Sequence, residues 1–286
     1  MGNKYKKYLL LMICILLIGS FLGCTIVDKI ERKLGWKNDY FEYLAGDNVE
    51  QISLQSTRDL GFKFIVTEQN AIIDMYNLLS HSKVSENKSK LEPDYIFEFK
   101  LGDDVKKFYY VVGSDEGNFY NDDIIFTVSK RLDKGIIKNL SFIRKPRDFE
   151  CIYYDSILDV LNKTAEDIEK SGKEKDYIKD LKVGININGD IDCLKYVYSN
   201  DLKGFLDKAK KIIPDVSLVK NNTEGFDIVV NVKNRGYDST NFKTLITVSN
   251  KPEKTEQEYY IIAVNEFKEW NIEVFGPNPN RLPDSW

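Results

Sequence analysis

Histidine is nearly missing from this chain: His81 is the sole example in 286 residues. One histidine excludes the His-Glu-x-x-His zinc hydrolases and every multi-histidine metal centre. A Ser-His-Asp or Cys-His relay would have to use His81, and no Gly-x-Ser-x-Gly elbow accompanies it. Its place after Leu79-Ser80, at the expected end of a helix, suits a cation favoured by the helix dipole. Glycine-rich phosphate loops are also missing, both Gly-x-x-x-x-Gly-Lys-Ser/Thr and Gly-x-Gly-x-x-Gly, which argues against ATP or NAD as cofactor. No cofactor and no metal is expected. Acidic turns such as Asp103-Asp104, Asp122-Asp123 and Asp190-x-Asp192 lack the Asp-x-Asp/Asn-x-Asp/Asn-Gly pattern of a calcium loop and read as solvated turns.

Cysteines number four, with no Cys-x-x-Cys spacing, so a zinc or redox site of that kind is excluded. Cys14 and Cys24 lie near the start. Cys151 and Cys193 remain, and an exported pair can form a disulfide, here one that would link the two halves of the chain. The same two residues, each in an apolar setting, also read as separate buried thiols.

What is present begins with an address. Lys4, Lys6 and Lys7 precede a charge-free run from Tyr8 to Gly23, the layout of a secretory signal. The run falls short of the roughly 18–20 strongly apolar residues of a spanning helix. It ends Phe21-Leu22-Gly23-Cys24 and turns polar at once. This ending resembles the lipobox of bacterial lipoproteins, with Phe21 and Leu22 departing from the commonest form and Gly23 fitting it. The resemblance implies cleavage before Cys24, a diacylglyceryl group on its sulfur, and a lipid anchor on the extracytoplasmic face of the cell membrane. Loss of residues 1–23 removes three lysines, so the formal charge moves from -4 to -7. An acidic, exported chain is not expected to meet nucleic acid. Abundant Lys, Asn, Ile, Tyr, Asp and Glu are what an AT-rich genome encodes, pointing to a low-GC Gram-positive host.

Residues 24–47 are expected to be anchor and tether; Ile26, Ile30 and Leu34 at helical spacing also fit an amphipathic segment lying on the membrane. Residues 48–165 read as an N-terminal α+β unit. Gln51–Ser56 and Phe62–Val66 are strands, Thr67 caps a helix over about 68–80, and Tyr95–Leu101 forms a hairpin with Lys107–Val112. Ile124–Val128 is another strand. Helices follow on Leu132, Ile136, Leu140 and Ile143, and on Tyr154, Ile157, Leu158 and Leu161. Nine of the fourteen residues from Lys163 to Asp176 are charged, which marks 166–177 as a linker. Residues 178–286 read as a second unit: alternation at Val183, Ile185 and Ile187, with Leu194–Tyr198 pairing back across Gly189-Asp190. An amphipathic helix on Leu202, Phe205, Leu206, Ala209 and Ile212 is stopped by Pro214. Strands follow at Val216–Val219, Phe226–Val232, Phe242–Val248 and Tyr259–Val264, the last continuing into Trp270–Phe275. The fold class is α+β, two small units, each an antiparallel sheet with helices on one face.

Two surface features are candidate contacts. Lys130, Arg131, Lys134, Lys138, Arg144, Lys145 and Arg147 face only Asp133, Asp148 and Glu150, a basic stretch inside an acidic protein. Arg144, Lys145 and Arg147 are its candidates for contact with an anionic surface, a solvated helix face being the plainer reading. The pairs Tyr109-Tyr110, Tyr153-Tyr154 and Tyr259-Tyr260 would expose one ring each if they lie in strands, as glycan- or peptide-binding rows do.

The whole plan, signal and lipobox followed by the strand-helix-hairpin run over 49–112, resembles the small YhfM-like lipoproteins of low-GC Gram-positive bacteria. That group implies little about function. The leading expectation is a non-enzymatic, membrane-anchored surface lipoprotein with an envelope protein or glycan as partner. The alternatives are the solute-binding receptor of an ABC transporter and an envelope hydrolase.

Overall fold

The computed structural model describes residues 37–46, 48–129, 132, 145–171, 177–284 and 286. The expected signal, the expected lipid site at Cys24, the amphipathic segment expected at Ile26–Leu34, most of the helix expected after Leu132, and residues 172–176 of the charged stretch lie outside these.

The first unit is an aromatic core under a seven-stranded antiparallel sheet. Its elements are β1 (Gln51–Ser56), β2 (Lys63–Val66), α1 (Gln69–Ser80), β3 (Lys83–Val84), β4 (Tyr95–Leu101), β5 (Asp104–Tyr110), β6 (Phe119–Tyr120) and β7 (Ile125–Thr127). The strand order is β2-β1-β4-β5-β6-β7-β3. Period-two alternation puts Tyr95, Phe97 and Phe99 on the buried face of β4, where β5 adds Phe108 and Tyr110. Phe108 stacks on Phe119 at 4.8 Å between ring centres. α1 closes this face with Ile72, Tyr76 and Leu79, one stripe at helical spacing. Its N-cap is Glu68, without a side-chain cap bond, and not Thr67. The stretch expected to be tether also joins the core: Phe41 and Leu44 are fully buried, Phe41 packs on Phe126 at 4.8 Å, and Asn38 donates its amide Nδ2 to the Ser82 carbonyl at 2.7 Å. Any free tether therefore ends before residue 38.

The second unit contains α2 (Phe149–Lys170), α3 (Tyr177–Asp180), β8 (Val183–Asn186), α4 (Ile191–Leu194), α5 (Ser199–Ile212), β9 (Val216–Leu218), β10 (Ile228–Tyr237), β11 (Asn241–Asn250), β12 (Thr255–Glu266) and β13 (Glu269–Phe275). The sheet order is β13-β12-β11-β10-β8-β9. Strands β10 to β13 form an antiparallel meander, but β8 runs parallel to both β10 and β9. The expected all-antiparallel sheet is thus mixed here. Its cause is α5: a parallel pair needs a long crossover, and α4 and α5 supply it between β8 and β9. Leu194–Tyr198 does not pair back as a strand. Asp190 is buried and accepts the Tyr153 hydroxyl at 3.0 Å and the Asn234 amide at 3.0 Å, which turns the chain into α4.

α2 is longer than its apolar pattern suggested and belongs to this second core. Ile152, Tyr153, Ile157, Val160, Leu161 and Ile168 are buried among residues 181–263, and Tyr154 stacks on Phe205 of α5 at 4.9 Å. The helix expected to close the first unit therefore opens the second. Apart from Tyr198, which packs into the first core, the two cores part between Leu132 and Phe149 rather than in the charged stretch. The first part of that stretch, through Lys170, is the end of α2, with Thr164, Ala165 and Ile168 buried and Glu166, Glu169 and Lys170 exposed. Among the described residues no helix is long and apolar enough to cross a membrane.

Candidate functional site

The two units meet through a buried polar seam. Asp94 ends the loop before β4, and its carboxylate is almost fully enclosed. One oxygen accepts the Val112 amide at 2.7 Å. The other accepts the Ser199 amide at 2.8 Å and the Arg58 guanidinium at 2.5 Å. Arg58 donates a second time, to the Ser199 hydroxyl at 2.6 Å, and that hydroxyl donates to the Glu92 carbonyl at 2.7 Å. Ser199 is the first residue of α5, so a carboxylate from one unit caps a helix of the other. Burial raises the Asp94 pKa; Arg58 and the two amides pull it down without reversing the shift. Beside the seam, Tyr95 and Tyr198 pack across the boundary at 6.2 Å.

A groove of about 320 Å³ opens along this seam. Leu91, Leu202, Leu206 and Leu218 line its floor, Leu202 buried and the other three half-buried. Arg58, Lys90, Lys203, Lys210 and Lys220 line it with positive charge, against Glu92 and Asp207. Lys220 bridges to Glu92 at 3.2 Å, tying α5's unit to the first one at the groove's edge. Among the described residues Lys90, Lys203 and Lys210 make no ion pair.

A second concavity, of about 440 Å³, lies on the sheet face of the second unit away from α2. Arg235, Lys243, Leu245, Glu258 and Tyr260 form it, with Leu282 and Trp286 of the C-terminal segment. Trp286 packs edge-on against Tyr260 at 4.7 Å, and the Tyr260 hydroxyl donates to Glu258 at 2.5 Å.

The residues singled out by sequence are placed as follows. Arg144 lies outside the described residues. Lys145 is not an open surface cation: its ammonium pairs with Glu150 at 2.5 Å and stands over the rings of Phe149 and Tyr198, each at 5.4 Å. Its charge is spent on α2's first turn and on aromatic faces, as suits a partly desolvated lysine. Arg147 is exposed and reaches Asn265 at 3.4 Å, while its carbonyl accepts the Trp270 indole at 2.9 Å. Cys151 and Cys193 are both free thiols, which corrects the disulfide reading. Cys151 is on the outer side of α2, near Asp155, Asp148 and Glu150; Cys193 is buried in α4 against Asp190. Burial first, then the neighbouring carboxylates, raises both thiol pKa values, so neither is poised as a nucleophile. Of the tyrosine pairs, Tyr110 and Tyr259 are buried while Tyr109 and Tyr260 are half-exposed, as alternation in a strand requires. Tyr153 and Tyr154 are both buried because they lie in a helix, not a strand. His81 is the C-cap of α1, with Nδ1 2.6 Å from the Asn77 carbonyl oxygen.

Sequence reasoning missed Arg58, Asp94 and Ser199 altogether. A single arginine in a Ser-Thr-Arg-Asp turn and a Pro-Asp before a strand carry no local signal of pairing; only the fold brings them together. Among the described residues no group of three or more His, Cys, Asp or Glu side chains is placed to hold a metal ion.

No curated protein and no solved structure matches the chain. Residues 46–146 match the model of the YhfM protein family. That match takes in every strand of the first sheet and ends just before α2, so it is the first unit, about a third of the chain, that is similar to the YhfM family.

Proposed function

We propose that this protein is a lipid-anchored surface protein, held to the extracytoplasmic face of the membrane through Cys24, that works by binding an envelope protein or another envelope ligand and carries out no catalysis. The observation that best supports this reading is how the buried reactive groups are used. Asp94, Asp190 and Tyr153 sit in bonds that hold one element to another, Cys193 is buried against Asp190, and none of the four lines either concavity. The two concavities are instead lined mainly by cations, leucines and aromatic rings, with Glu92 and Asp207 in one and Glu258 in the other, the chemistry of recognition. An envelope hydrolase would turn perturbed acids towards a cleft. A transporter's solute receptor would close two lobes on a hinge; the Arg58–Asp94–Ser199 seam opposes such a motion and favours a fixed binding face.

The test is crosslinking in intact cells, gentle solubilisation of the membrane and identification of what co-purifies. The expected result is a specific envelope partner that is lost when Cys24→Ala releases the protein from the membrane. Co-purification with a permease would overturn the reading in favour of the receptor. A turnover-dependent product from an envelope substrate would overturn it in favour of an enzyme.

A further inference from the structure

The seam groove combines three features that no single structural role accounts for. Its floor has leucines left half-exposed, Leu206 and Leu218 among them. Its walls carry Lys203 and Lys210 on α5, Lys90 on the opposite loop and Lys220 just past β9. β9 is also the edge strand of the second sheet, paired to β8 on one side only. An edge strand presents backbone donors and acceptors along its unpaired side, and adding an extended peptide there is a recurring mode of recognition.

We propose that this groove docks an acidic, extended peptide segment carrying leucine-sized side chains, laid along β9. This rests on the reading of the protein as a binding protein and names the kind of partner. The dimensions agree. Lys203 and Lys210 are two helical turns apart, about 10 Å along α5. An extended chain covers that length in roughly three residues, and its side chains alternate in direction. A peptide alternating acidic and apolar residues therefore turns its apolar side chains to the leucine floor while its carboxylates meet the lysines. A flat bilayer fits less well, because the leucines line a concavity and do not project. A free phosphate fits less well too, because the first amide of α5 is already taken by Asp94.

The experiment uses the full chain purified in a neutral detergent and a fluorescent peptide of alternating Glu and Leu, read by anisotropy. Alternating Lys-Leu and Glu-Ser peptides, inorganic phosphate and phosphatidylglycerol vesicles are the comparison probes. The Glu-Leu peptide is expected to bind roughly tenfold or more tightly than either comparison peptide, with an affinity that falls as salt rises. Charge reversal in K203E/K210E is expected to weaken it by roughly tenfold, and the arginine pair K203R/K210R to retain it. K90E, on the other wall and outside any helix, repeats the test independently of α5. Equal binding of the Lys-Leu peptide, or binding untouched by both reversals, would overturn the proposal. Vesicle or phosphate binding that depends on these lysines, without peptide binding, would give the groove to a phosphate-bearing ligand instead. Purified protein needs no anchor for this assay, so its failure is distinct from failure to find a partner lost with Cys24→Ala.

Discussion

Asp94 accepts from Arg58, Val112 and Ser199 while its carboxylate is nearly closed to water, so its protonation state is tied to the fold. Burial outweighs the three donors and leaves its folded pKa above that of the unfolded chain. The folded state then binds the proton more tightly. The contribution of this group to stability is largest below the unfolded value of about 4 and declines as pH rises through the raised folded value. Asp190 shifts the same way, again chiefly by burial. Asp238 shifts the other way, to about 2, because it accepts the Thr240 amide and the Asn241 side chain. Its contribution is present above about 4 and lost as pH falls towards 2. Urea unfolding across a pH series is expected to show D94N with a flatter profile above pH about 4 than the parent. D94N is also expected to lose about 3 kcal/mol at neutral pH, since an amide cannot accept from three donors as a carboxylate does and Arg58 loses its counter-charge. An unchanged slope would remove Asp94 from this role. None of this was legible in the sequence, where Asp94 follows a proline and looks like any turn residue.

At the scale of elements, legibility followed the range of the interaction. The alternation Tyr95-Phe97-Phe99 and the stripe Ile72-Tyr76-Leu79 are local patterns, and both elements stand where those patterns put them. The direction of β8 is not local. Val183-Gly184-Ile185 announces a buried strand, but whether it pairs parallel or antiparallel depends on where α5 carries the chain. α2 shows the same limit: its apolar face says that the helix is buried, not against which sheet. Where the sequence pattern runs Tyr259–Val264 on into Trp270–Phe275, the chain instead turns back, and β12 pairs antiparallel with β13 across a tight turn. Phe267 and Lys268 both hold positive φ, 52° and 69°, where Asn-Gly is the usual choice, and Phe267 is 98% exposed. Replacing Phe267-Lys268 by Asn-Gly is expected to raise stability by about 1 kcal/mol, read from the thermal midpoint. A loss of stability would mean that the Phe267 ring makes a folded-state contact.

Among the described residues the two cores join at the Arg58–Asp94–Ser199 seam and at Tyr198, which packs into the first core, and this junction sets the thermodynamic behaviour of the molecule. Arg58 and Ser199 are 141 positions apart in the chain, and their union makes the groove a product of both units. Calorimetry of the parent is expected to give one cooperative transition. R58A/S199A, which removes the counter-ion of Asp94 and the Ser199 hydroxyl that accepts from Arg58 and donates to the Glu92 carbonyl, is expected to give two. Two transitions in the parent would mean that the seam does not couple the cores. The sequence foretold two α+β units but placed their boundary in the charged stretch, because charge density marks exposed surface, and the end of α2 shows an exposed charged face while Thr164, Ala165 and Ile168 are buried. All of this has a surface role only if the chain is anchored. The most direct test is the mass of the N-terminal peptide of the protein isolated from the membrane fraction. The account predicts a chain beginning at Cys24 with a diacylglyceryl adduct, and a Cys24→Ala form that leaves the membrane. A membrane-bound chain that retains residues 1–23 unmodified would contradict it.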